Sequence, residues 1–462
     1  MNILKLVSAF SLMCLLLSCS SPNKESMADQ STKAPYQLMT VDPGHFHAGL
    51  LQKTALDEID PTVHVFAPEG PDVKNYLGMI EGFNTREEDP TNWNQVVYTG
   101  PDFFEKMIKD KPGNIMVVAG NNEKKTEYIN RAVKAGINVL ADKPMVINSD
   151  DFELLKETFE LAEQNDVLLY DIMTERHEAT IMTQRALSQI PELFGVLETG
   201  SVENPAITKE SVHHFFKYVS GSPLVRPAWF FDVTQQGEGL VDIMTHLVDM
   251  IQWECYPEQI IDYKKDVNVL NARSWATELT PSMFKRITKL DEYPDYLHKD
   301  IISDSVLSVH SNGEINYTLK GTHAKTSVIW NYEAPEGAKD THYSIMRGTK
   351  ANLIIQQGKK EDYQATLYVE NTSEESDALF MANVKQALAD LQGDLPGLAM
   401  EKDGDMVKII IPDELKVGHE AHFVQVAKKY INYLNQGKMP DWEIPNMISK
   451  YYTTTKGYEM SR

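Results

Sequence analysis

The stretch from Asn114 to Pro144 reads NIMVVAGNNEKKTEYINRAVKAGINVLADKP. It begins with an apolar run, Ile115–Ala119, without polar alternation, which is typical of a strand covered on both faces of a parallel sheet. Apolar residues then recur at helical spacing up to Gly136, a typical residue just past a helix end, and a second apolar run, Ile137–Ala141, follows. The polar residues on the other face of this helix are Lys124, Lys125, Asn130, Arg131 and Lys134. The pattern predicts a strand–helix–strand unit, and such sheets bind ligands at the carboxyl ends of their strands.

Asp142, Lys143 and Pro144 stand at the carboxyl end of the second strand. Pro144 favours an extended Lys143, whose ammonium can then reach across the sheet edge and polarise a hydroxyl or carbonyl group. On its own the tripeptide would suit an ordinary charged turn. Its place after this strand–helix–strand unit favours a functional lysine.

This region resembles the Gfo/Idh/MocA (glucose-fructose oxidoreductase and inositol dehydrogenase) family, in which a polar Asn turn, an A-x-x-A-G-x-x-V run and (E/D)-K-P follow one another. The resemblance implies an α/β fold with an N-terminal Rossmann domain, a doubly wound parallel sheet, and a C-terminal α+β domain with a large open antiparallel sheet. It also implies an NAD(P)-dependent oxidoreductase acting on CH–OH groups of carbohydrates, with Lys143 as a catalytic residue.

A polar turn, Asp42–Gly49, follows the predicted first strand, Tyr36–Val41, and leads into a helix predicted to begin near Leu50. A dinucleotide fingerprint has G-x-G-x-x-G/A here, and Gly44 fits its second glycine. The resemblance implies cofactor contacts from the turn residues Asp42, Gly44, His45, Phe46 and His47. An alternative is that Asp-x-x-His-x-His begins a metal-dependent amidohydrolase-type barrel using His45 and His47. The order of the predicted elements does not show the eight βα units that such a barrel needs.

The remaining predicted cofactor contacts are Glu69, Asn121, Asn122 and Asp142. Glu69 follows the predicted strand Val63–Ala67, near the place where an acidic residue binds the ribose of the cofactor. No arginine stands beside it to receive a 2′-phosphate, so NAD is favoured and NADP remains possible.

A second constellation runs from Trp229 to Asp249. It is similar to a family signature with a glycine-rich turn followed by L-x-D-x-G-x-H-x-x-D, although Met244 replaces the glycine. Asp242 and His246 are four residues apart, so on one helix face Asp242 could orient the imidazole. The resemblance implies catalytic roles for both. A metal bound by Asp242 and His246 is the alternative.

The predicted substrate contacts are Arg176, His177, Trp229 and Asp249. Arg176 and His177 follow the predicted closing strand, Val167–Ile172, where members of the family cross into the second domain. No metal is assigned to these residues, and a packed linker remains an alternative for this crossing.

The N-terminus is similar to a bacterial lipoprotein signal. Met1–Ser18 has one lysine and an apolar core, and Leu16-Leu17-Ser18 precedes Cys19, the predicted lipidation site. A polar tether follows as far as residue 35. The predicted domains are then 36–172 for NAD(P) and 173–462 for substrate, with a closing C-terminal helix before Gly437. We expect a lipid-anchored protein of a Gram-negative cell envelope, on the periplasmic side or the outer membrane.

The chain has 462 residues, a formal net charge of −23 and three cysteines. This charge disfavours nucleic acid as a partner, and the cysteine count excludes a disulfide framework and a cysteine-based metal site. From Ser303 to Val369, short alternating strands with Gly or Asn turns such as Ser311-Asn312-Gly313 predict the antiparallel sheet, which could also support a homo-oligomer. Three segments are predicted as inserts, 77–94, 276–299 and 370–416.

These patterns predict hydride transfer between nicotinamide and a carbinol carbon of a sugar, glycoside or polyol, including glycoside to keto-glycoside, on a tightly held cofactor. His246, oriented by Asp242, would take the hydroxyl proton while Lys143 stabilises the alkoxide. The alternative from another class is a non-catalytic, lipid-anchored glycan-binding protein on the same scaffold.

Overall fold

The computed structural model of the protein describes residues 34–219, 222–303 and 305–462. The predicted signal peptide, Cys19 and most of the predicted tether lie outside these residues. Within the described ranges, no helix combines the length and the apolar character needed to cross a membrane.

Six parallel strands form the first sheet, as predicted. They are β1 Leu38–Val41, β2 Thr62–Ala67, β3 Asn94–Thr99, β4 Ile115–Val118, β5 Asn138–Asp142 and β6 Leu169–Ile172. Their order is β3-β2-β1-β4-β5-β6, and all neighbouring pairs are parallel. Strands β1 to β3 are added toward one edge of the sheet and β4 to β6 toward the other. This order changes between β1 and β4, which is where doubly wound sheets bind ligands. This open sheet excludes the amidohydrolase-type barrel.

The helices of this half are α1 His47–Leu50, α2 Pro71–Thr85, α3 Phe103–Asp110, α4 Lys125–Lys134 and α5 Phe152–Gln164. Two predictions are wrong here. No long helix begins near Leu50, because α1 ends at that residue. The supposed polar insert from residue 77 is largely helix α2, which starts with a proline and buries Val73, Tyr76 and Ile80 against the sheet.

Two polar residues of α4 face inward, contrary to the prediction. Lys125 is 1 % exposed and donates from Nζ to the Asp142 carbonyl oxygen at 3.1 Å. Asn130 is 5 % exposed and donates to Thr158 of α5. Both are tolerated inside because each has a hydrogen-bond partner.

The second sheet is large and mostly antiparallel, as predicted. The remaining strands of the chain are β7 Ile207–Phe216, β8 Tyr218–Val219, β9 Ser222–Pro223, β10 Val267–Leu279, β11 Ile301–Ile302, β12 Val306–Leu319, β13 Thr322–Glu333, β14 Thr341–Arg347, β15 Ala351–Gln357, β16 Thr366–Asn371, β17 Ala399–Asp403 and β18 Met406–Ile410. The sheet order is β10-β12-β13-β7-β14-β15-β16-β18-β17, with β11 beside β12, while β8 and β9 pair separately. Strands β7 and β13 are parallel, and the other neighbouring pairs are antiparallel.

The helices of the second half are α6 Ala179–Ser188, α7 Val233–Gln236, α8 Met244–Cys255, α9 Tyr263–Asp266, α10 Pro281–Thr288, α11 Asp377–Asp390, α12 His419–Gln436 and α13 Glu443–Met460. Short 3-10 helices are Thr174–His177, Ala228–Phe231, Asp295–Asp300, Lys359–Glu361, Leu391–Gly393 and Asp413–Leu415. The segments 276–299 and 370–416 are parts of this domain rather than appendages. The first buries Phe284 and Ile287 of α10, and the second supplies two strands of the sheet.

The predicted turn Ser311-Asn312-Gly313 is wrong, because β12 runs through it. The register between β10 and β12 shifts there, so the chain forms a bulge. A Cβ on Gly313 would lie 2.5 Å from the Leu240 side chain, and one on Gly239 would lie 2.0 Å from the Ser311 carbonyl oxygen. The glycines therefore mark a close approach between the turn before α8 and this strand.

The predicted closing helix is α12, which ends before Gly437, but it packs with the first sheet rather than the second. Phe423, Tyr430 and Ile431 belong to the core of the parallel sheet. The Tyr430 hydroxyl donates to the Leu168 carbonyl oxygen at 2.9 Å. Helix α13 follows it and is the last helix of the chain, with Tyr451 in the same core.

Candidate active site

Lys143 and Asp242 meet at the carboxyl edge of the parallel sheet. Lys143 follows β5, and Asp242 lies in the turn before α8. Lys143 Nζ donates to Asp242 Oδ1 at 2.7 Å, and the two residues are 8 % and 5 % exposed. A buried ammonium and a buried carboxylate each need such a partner, because neither is solvated by water there. The pair thus joins the two predicted catalytic segments across the domain boundary.

Asp242 does not orient His246, contrary to the prediction. Helix α8 begins at Met244, so Asp242 lies outside the regular helix and its carboxylate is bonded to Lys143. His246 Nδ1 is buried and has no hydrogen-bond partner among the described residues. Burial, then the charge of Lys143, holds the pKa of His246 well below its usual value. The imidazole is therefore neutral, and its surroundings oppose protonation.

Two further titratable groups lie near Lys143, and the sequence did not single them out as site residues. Glu175, from the 3-10 helix after β6, has its pKa raised to about 7 by burial and by the charge of Glu178. His419, the first residue of α12, lies with its Nδ1 3.9 Å from Glu175 Oε1. Burial, followed by the charge of His47, lowers the pKa of His419 to about 4. No local motif marks either residue, because distant parts of the chain bring them together.

A small cavity adjoins Asp242 on the side of the second domain. Three of its nine lining residues are aromatic, and the full set is Phe215, Phe230, Gln236, Gly237, Gly239, Asp242, Val309, Ser311 and Trp330. The Arg226 guanidinium lies over the rings of Phe230 and Trp330, at 4.7 Å and 5.0 Å from their centres. The cavity has room for roughly one water molecule, so it is the start of a cleft between these rings and Asp242 rather than an open pocket.

Arg176 and Asp249 do not face this cavity, contrary to the prediction that they contact substrate. Arg176 is 4 % exposed and pairs with both Asp249 and Glu443, while Lys450 also donates to Asp249. The donors and acceptors of both groups are used in this buried network, which ties α8 to α13. It also leaves Asp249 unavailable as a third ligand for the metal alternative at Asp242 and His246.

The predicted substrate contact of His177 stays a prediction, because no contact of the described residues tests it. Burial lowers the pKa of His177 to about 4, and the charged groups that add to this are Lys429, His422 and Arg176 rather than Lys143. The structure therefore groups His177 with α12 and the buried Arg176 network.

The Asn turn after β4 contacts the second domain directly. Asn121 Nδ2 donates to Gln235 Oε1 at 2.6 Å, and Asn122 Nδ2 donates to the Gln236 carbonyl oxygen at 2.8 Å. Both amides, predicted to contact the cofactor, are thus bonded across the domain boundary.

Trp229 contacts the first domain, whereas the sequence predicted that it contacts substrate. Its indole Nε1 donates to Asp72 Oδ2 at 2.9 Å, and a Cβ on Gly44 would lie 3.3 Å from its ring. Trp229 therefore covers the turn after β1.

Two family models account for most of the chain. One, the oxidoreductase family with an NAD-binding Rossmann fold, matches residues 73–171. The other, the oxidoreductase C-terminal domain, matches residues 183–462. The chain belongs to the Gfo/Idh/MocA oxidoreductase family. The resemblance of the Asp142-Lys143-Pro144 region to this family is thereby confirmed, and NAD is the dinucleotide of its Rossmann domain.

Solved structures agree with this assignment. A protein from Parabacteroides merdae ATCC 43184, named as an oxidoreductase, is 52 % identical with a TM-score of 0.91, over 93 % of this chain and 98 % of that one. Levoglucosan dehydrogenase with NADH is 10 % identical with a TM-score of 0.58, over 92 % and 96 %. Biliverdin reductase from Synechocystis sp. PCC 6803, with biliverdin and NADP+, is 11 % identical with a TM-score of 0.55, over 92 % and 99 %. The last two share the fold. No curated protein matches the chain.

The backbone of the turn after β1 fits the dinucleotide of this family. Asp42 has φ 44° and so adopts the left-handed conformation that glycine usually supplies. A Cβ on Gly120 would lie 2.1 Å from the Asp42 carbonyl oxygen, so glycine is required for this close approach. Asp42, Gly44 and the exposed Glu69 would hold the dinucleotide, and Phe46, 45 % exposed, borders the turn.

The charge of this turn is unusual for a phosphate site. Burial, then the charge of Asp72, raises the pKa of Asp42 to about 6. Two neighbouring carboxylates oppose a pyrophosphate, and protonation of Asp42 relieves part of that repulsion. At the third glycine position, His47 is buried and its ring packs against Phe423 of α12.

Proposed function

We propose that this oxidoreductase transfers a hydride between nicotinamide and a carbinol carbon of a sugar, glycoside or polyol. The observation that carries the proposal is the buried Lys143–Asp242 pair at the carboxyl edge of the Rossmann sheet, 2.7 Å between Nζ and Oδ1. The rings of Phe215, Phe230 and Trp330 beside Asp242 support a ring-shaped polyol, since apolar faces of this kind pack against the face of a sugar ring. A structural neighbour, levoglucosan dehydrogenase, binds L-sorbose beside NADH.

Each polar residue then has a distinct task. Lys143 Nζ donates a hydrogen bond to the reacting oxygen and stabilises the alkoxide as it forms. Asp242 accepts a hydrogen bond from Lys143 Nζ and aims it, which makes Asp242 a positioning residue. His246 takes the hydroxyl proton as the general base of the proposal. The bound nicotinamide supplies the hydride acceptor in oxidation and the donor in reduction.

We extend the proposal to the cell envelope. The lipoprotein-like signal ending at Cys19 supports lipidation of that residue and a membrane anchor, on the periplasmic side or the outer membrane of a Gram-negative bacterium. A free dinucleotide pool is not expected there. The cofactor would therefore be retained while one glycoside is oxidised and a keto-glycoside is reduced in turn. The open sheet would support contact between copies of the chain.

The test begins with the full chain purified from membranes. The protein is denatured, and NAD(H) and NADP(H) are assayed in the supernatant. Intact protein is also mixed with a panel of glycosides and followed at the absorbance of reduced nicotinamide. Near-stoichiometric dinucleotide together with glycoside-dependent reduction supports the proposal. Protein that neither carries nor binds either dinucleotide at millimolar concentration contradicts it.

One observation favours a second candidate, a lipid-anchored glycan-binding protein without turnover. The carboxylates of Asp42 and Asp72 lie at the phosphate turn, and α1 has four residues, so the electrostatic support for a pyrophosphate is weaker than in most such folds. Glycan binding by dinucleotide-free protein, with no reduction of added NAD, would support this candidate.

A further inference from the structure

Two histidines and an aspartate converge beside the turn after β1. His45 and His47 come from that turn, and Asp142 comes from the end of β5. One donor atom from each residue lies within 4.8 Å of the other two. His47 Nδ1 is 3.0 Å from Asp142 Oδ2, and His45 Nδ1 is 3.7 Å from the same oxygen. Among the described residues, this is the one such group of three.

No hydrogen bond joins His45 Nδ1 to Asp142 Oδ2. His45 Nδ1 carries no hydrogen here, since it lies 3.4 Å from the donating His47 backbone N–H, and a metal ion would replace this long hydrogen bond. Asp142 Oδ2 is electron-rich as well. Two such atoms 3.7 Å apart repel each other unless a cation lies between them. Ligands bound about 2.0–2.2 Å from a tetrahedral zinc ion lie roughly 3.3–3.6 Å apart, which is close to this separation.

The surroundings both support and admit a cation. The nearest ammonium groups have partners of their own, since Lys143 is paired with Asp242 and Lys125 donates to the Asp142 carbonyl oxygen. The His47 and Asp142 side chains are 10 % and 5 % exposed, which holds them in place, while His45 is 25 % exposed. The site is therefore rigid on the protein side and open to solvent at His45.

We propose that His45, His47 and Asp142 bind a divalent transition-metal ion of the zinc class. Two imidazole nitrogens and one carboxylate oxygen suit zinc or its first-row neighbours, whereas calcium and magnesium prefer oxygen ligands throughout. Binding displaces the proton that His47 Nδ1 shares with Asp142, and Asp142 becomes a common ligand. Three protein ligands leave a coordination position for water or a substrate oxygen. The site stands independently of the proposed hydride transfer.

The test measures metal in the full chain. Purified protein is stripped with chelator, dialysed, and titrated with Zn²⁺ by calorimetry and with Co²⁺ by its visible absorption. We expect one equivalent to bind and a Co²⁺ spectrum of a nitrogen–oxygen site. Dinucleotide content is assayed on the same sample, so failure of one proposal does not count against the other. Protein that binds neither ion above a tenth of an equivalent overturns the site.

Three variants separate the site from metal bound elsewhere. His45→Ala removes a partly exposed ligand, and Asp142→Asn keeps the shape and an acceptor for His47. Each should weaken Zn²⁺ binding by about a hundredfold or more, since loss of a group that merely hydrogen-bonds to a ligand already costs about tenfold to a hundredfold. The control is Asp340→Asn, where His214 contacts the carboxylate at 2.8 Å and Lys217 already occupies it at 2.6 Å.

The control variant should bind Zn²⁺ as the unaltered protein does. Thermal unfolding of each variant reports whether it is folded. Folded His45→Ala and Asp142→Asn proteins with unchanged affinity would overturn the proposal, as would an equal loss in Asp340→Asn.

Discussion

At the scale of single residues, the buried ion pair of Lys143 and Asp242 is the centre of the candidate site. They are 99 residues apart in the chain, and the ion pair between them brings both predicted catalytic segments to one point. Two predicted partnerships changed at this scale. Asp242 supports Lys143 instead of His246, and Arg176 with Asp249 forms a structural network instead of a substrate contact.

Replacing Lys143 by methionine should lower kcat by about 10²–10⁴-fold, since it removes the group that stabilises the alkoxide. Asp242→Asn should also lower kcat, and the double variant should be little worse than Lys143→Met because the two residues act as one unit. Single-turnover reduction of nicotinamide by a glycoside substrate measures this. Lys124→Met, at an exposed lysine, is the control. Losses that add in the double variant would contradict the pairing.

Glu175 should make stability depend on pH. Its pKa is raised to about 7 in the folded protein from an ordinary value near 4.5, so its contribution to stability is complete below pH 4.5 and is lost as the pH rises through about 7. Glu175→Gln should therefore raise the free energy of unfolding at pH 8 by about 1–2 kcal/mol, discounted because the side chain is 30 % exposed, and change it little at pH 4. Denaturant titrations at both pH values test this. Equal effects at pH 4 and pH 8 would refute it.

At the scale of elements, the sequence predicted strands correctly where a local run of apolar residues is buried. The apolar runs predicted β1, β2 and β4 to β6 within two residues at each end. The pattern failed for α2 and for the bulge in β12. Helix α2 carries apolar residues sparsely and was mistaken for an insert. The residues around Gly313 have the composition of a turn, but they lie within strand β12. Gly239 comes very close to the backbone of this strand.

Gly239→Ala should destabilise the protein by about 1–3 kcal/mol, because the new Cβ would lie 2.0 Å from the Ser311 carbonyl oxygen and would push the turn before α8 away from β12. Denaturant unfolding measures the change. Gly82→Ala is the matched control, since nothing lies within 4 Å of its Cβ on α2. The control should be neutral or stabilising by up to about 1 kcal/mol. A stable Gly239→Ala protein would contradict the close approach.

At the scale of the whole molecule, buried charges join distant elements. Arg176 bonds to Asp249 of α8 and Glu443 of α13, and Lys450 of α13 pairs with both Asp249 and Asp171 of β6. The closing helices therefore bind the Rossmann sheet to the second domain.

Arg176→Met should lower the free energy of unfolding by about 3–5 kcal/mol, because it leaves buried carboxylates without their partner. Arg273→Met is the control, since its guanidinium is 68 % exposed and 3.3 Å from Glu314. We expect a change of about 1 kcal/mol or less there. Denaturant unfolding compares the two. Equal small effects would show that the network is not a major source of stability.

The sequence by itself determined the parallel sheet, the antiparallel sheet and the family, because buried strands, glycine stops and the Asp142-Lys143-Pro144 motif are local patterns. Tertiary structure alone decided which charges pair. Asp242 with Lys143, Arg176 with Glu443, and His45 and His47 with Asp142 are contacts between segments far apart in the chain. A residue's spacing predicts its face on one element, but its partner depends on which other element packs against that face. Lys125 shows the same limit even within one strand–helix–strand unit, since its side chain is tolerated inside by the Asp142 carbonyl oxygen at the end of the next strand.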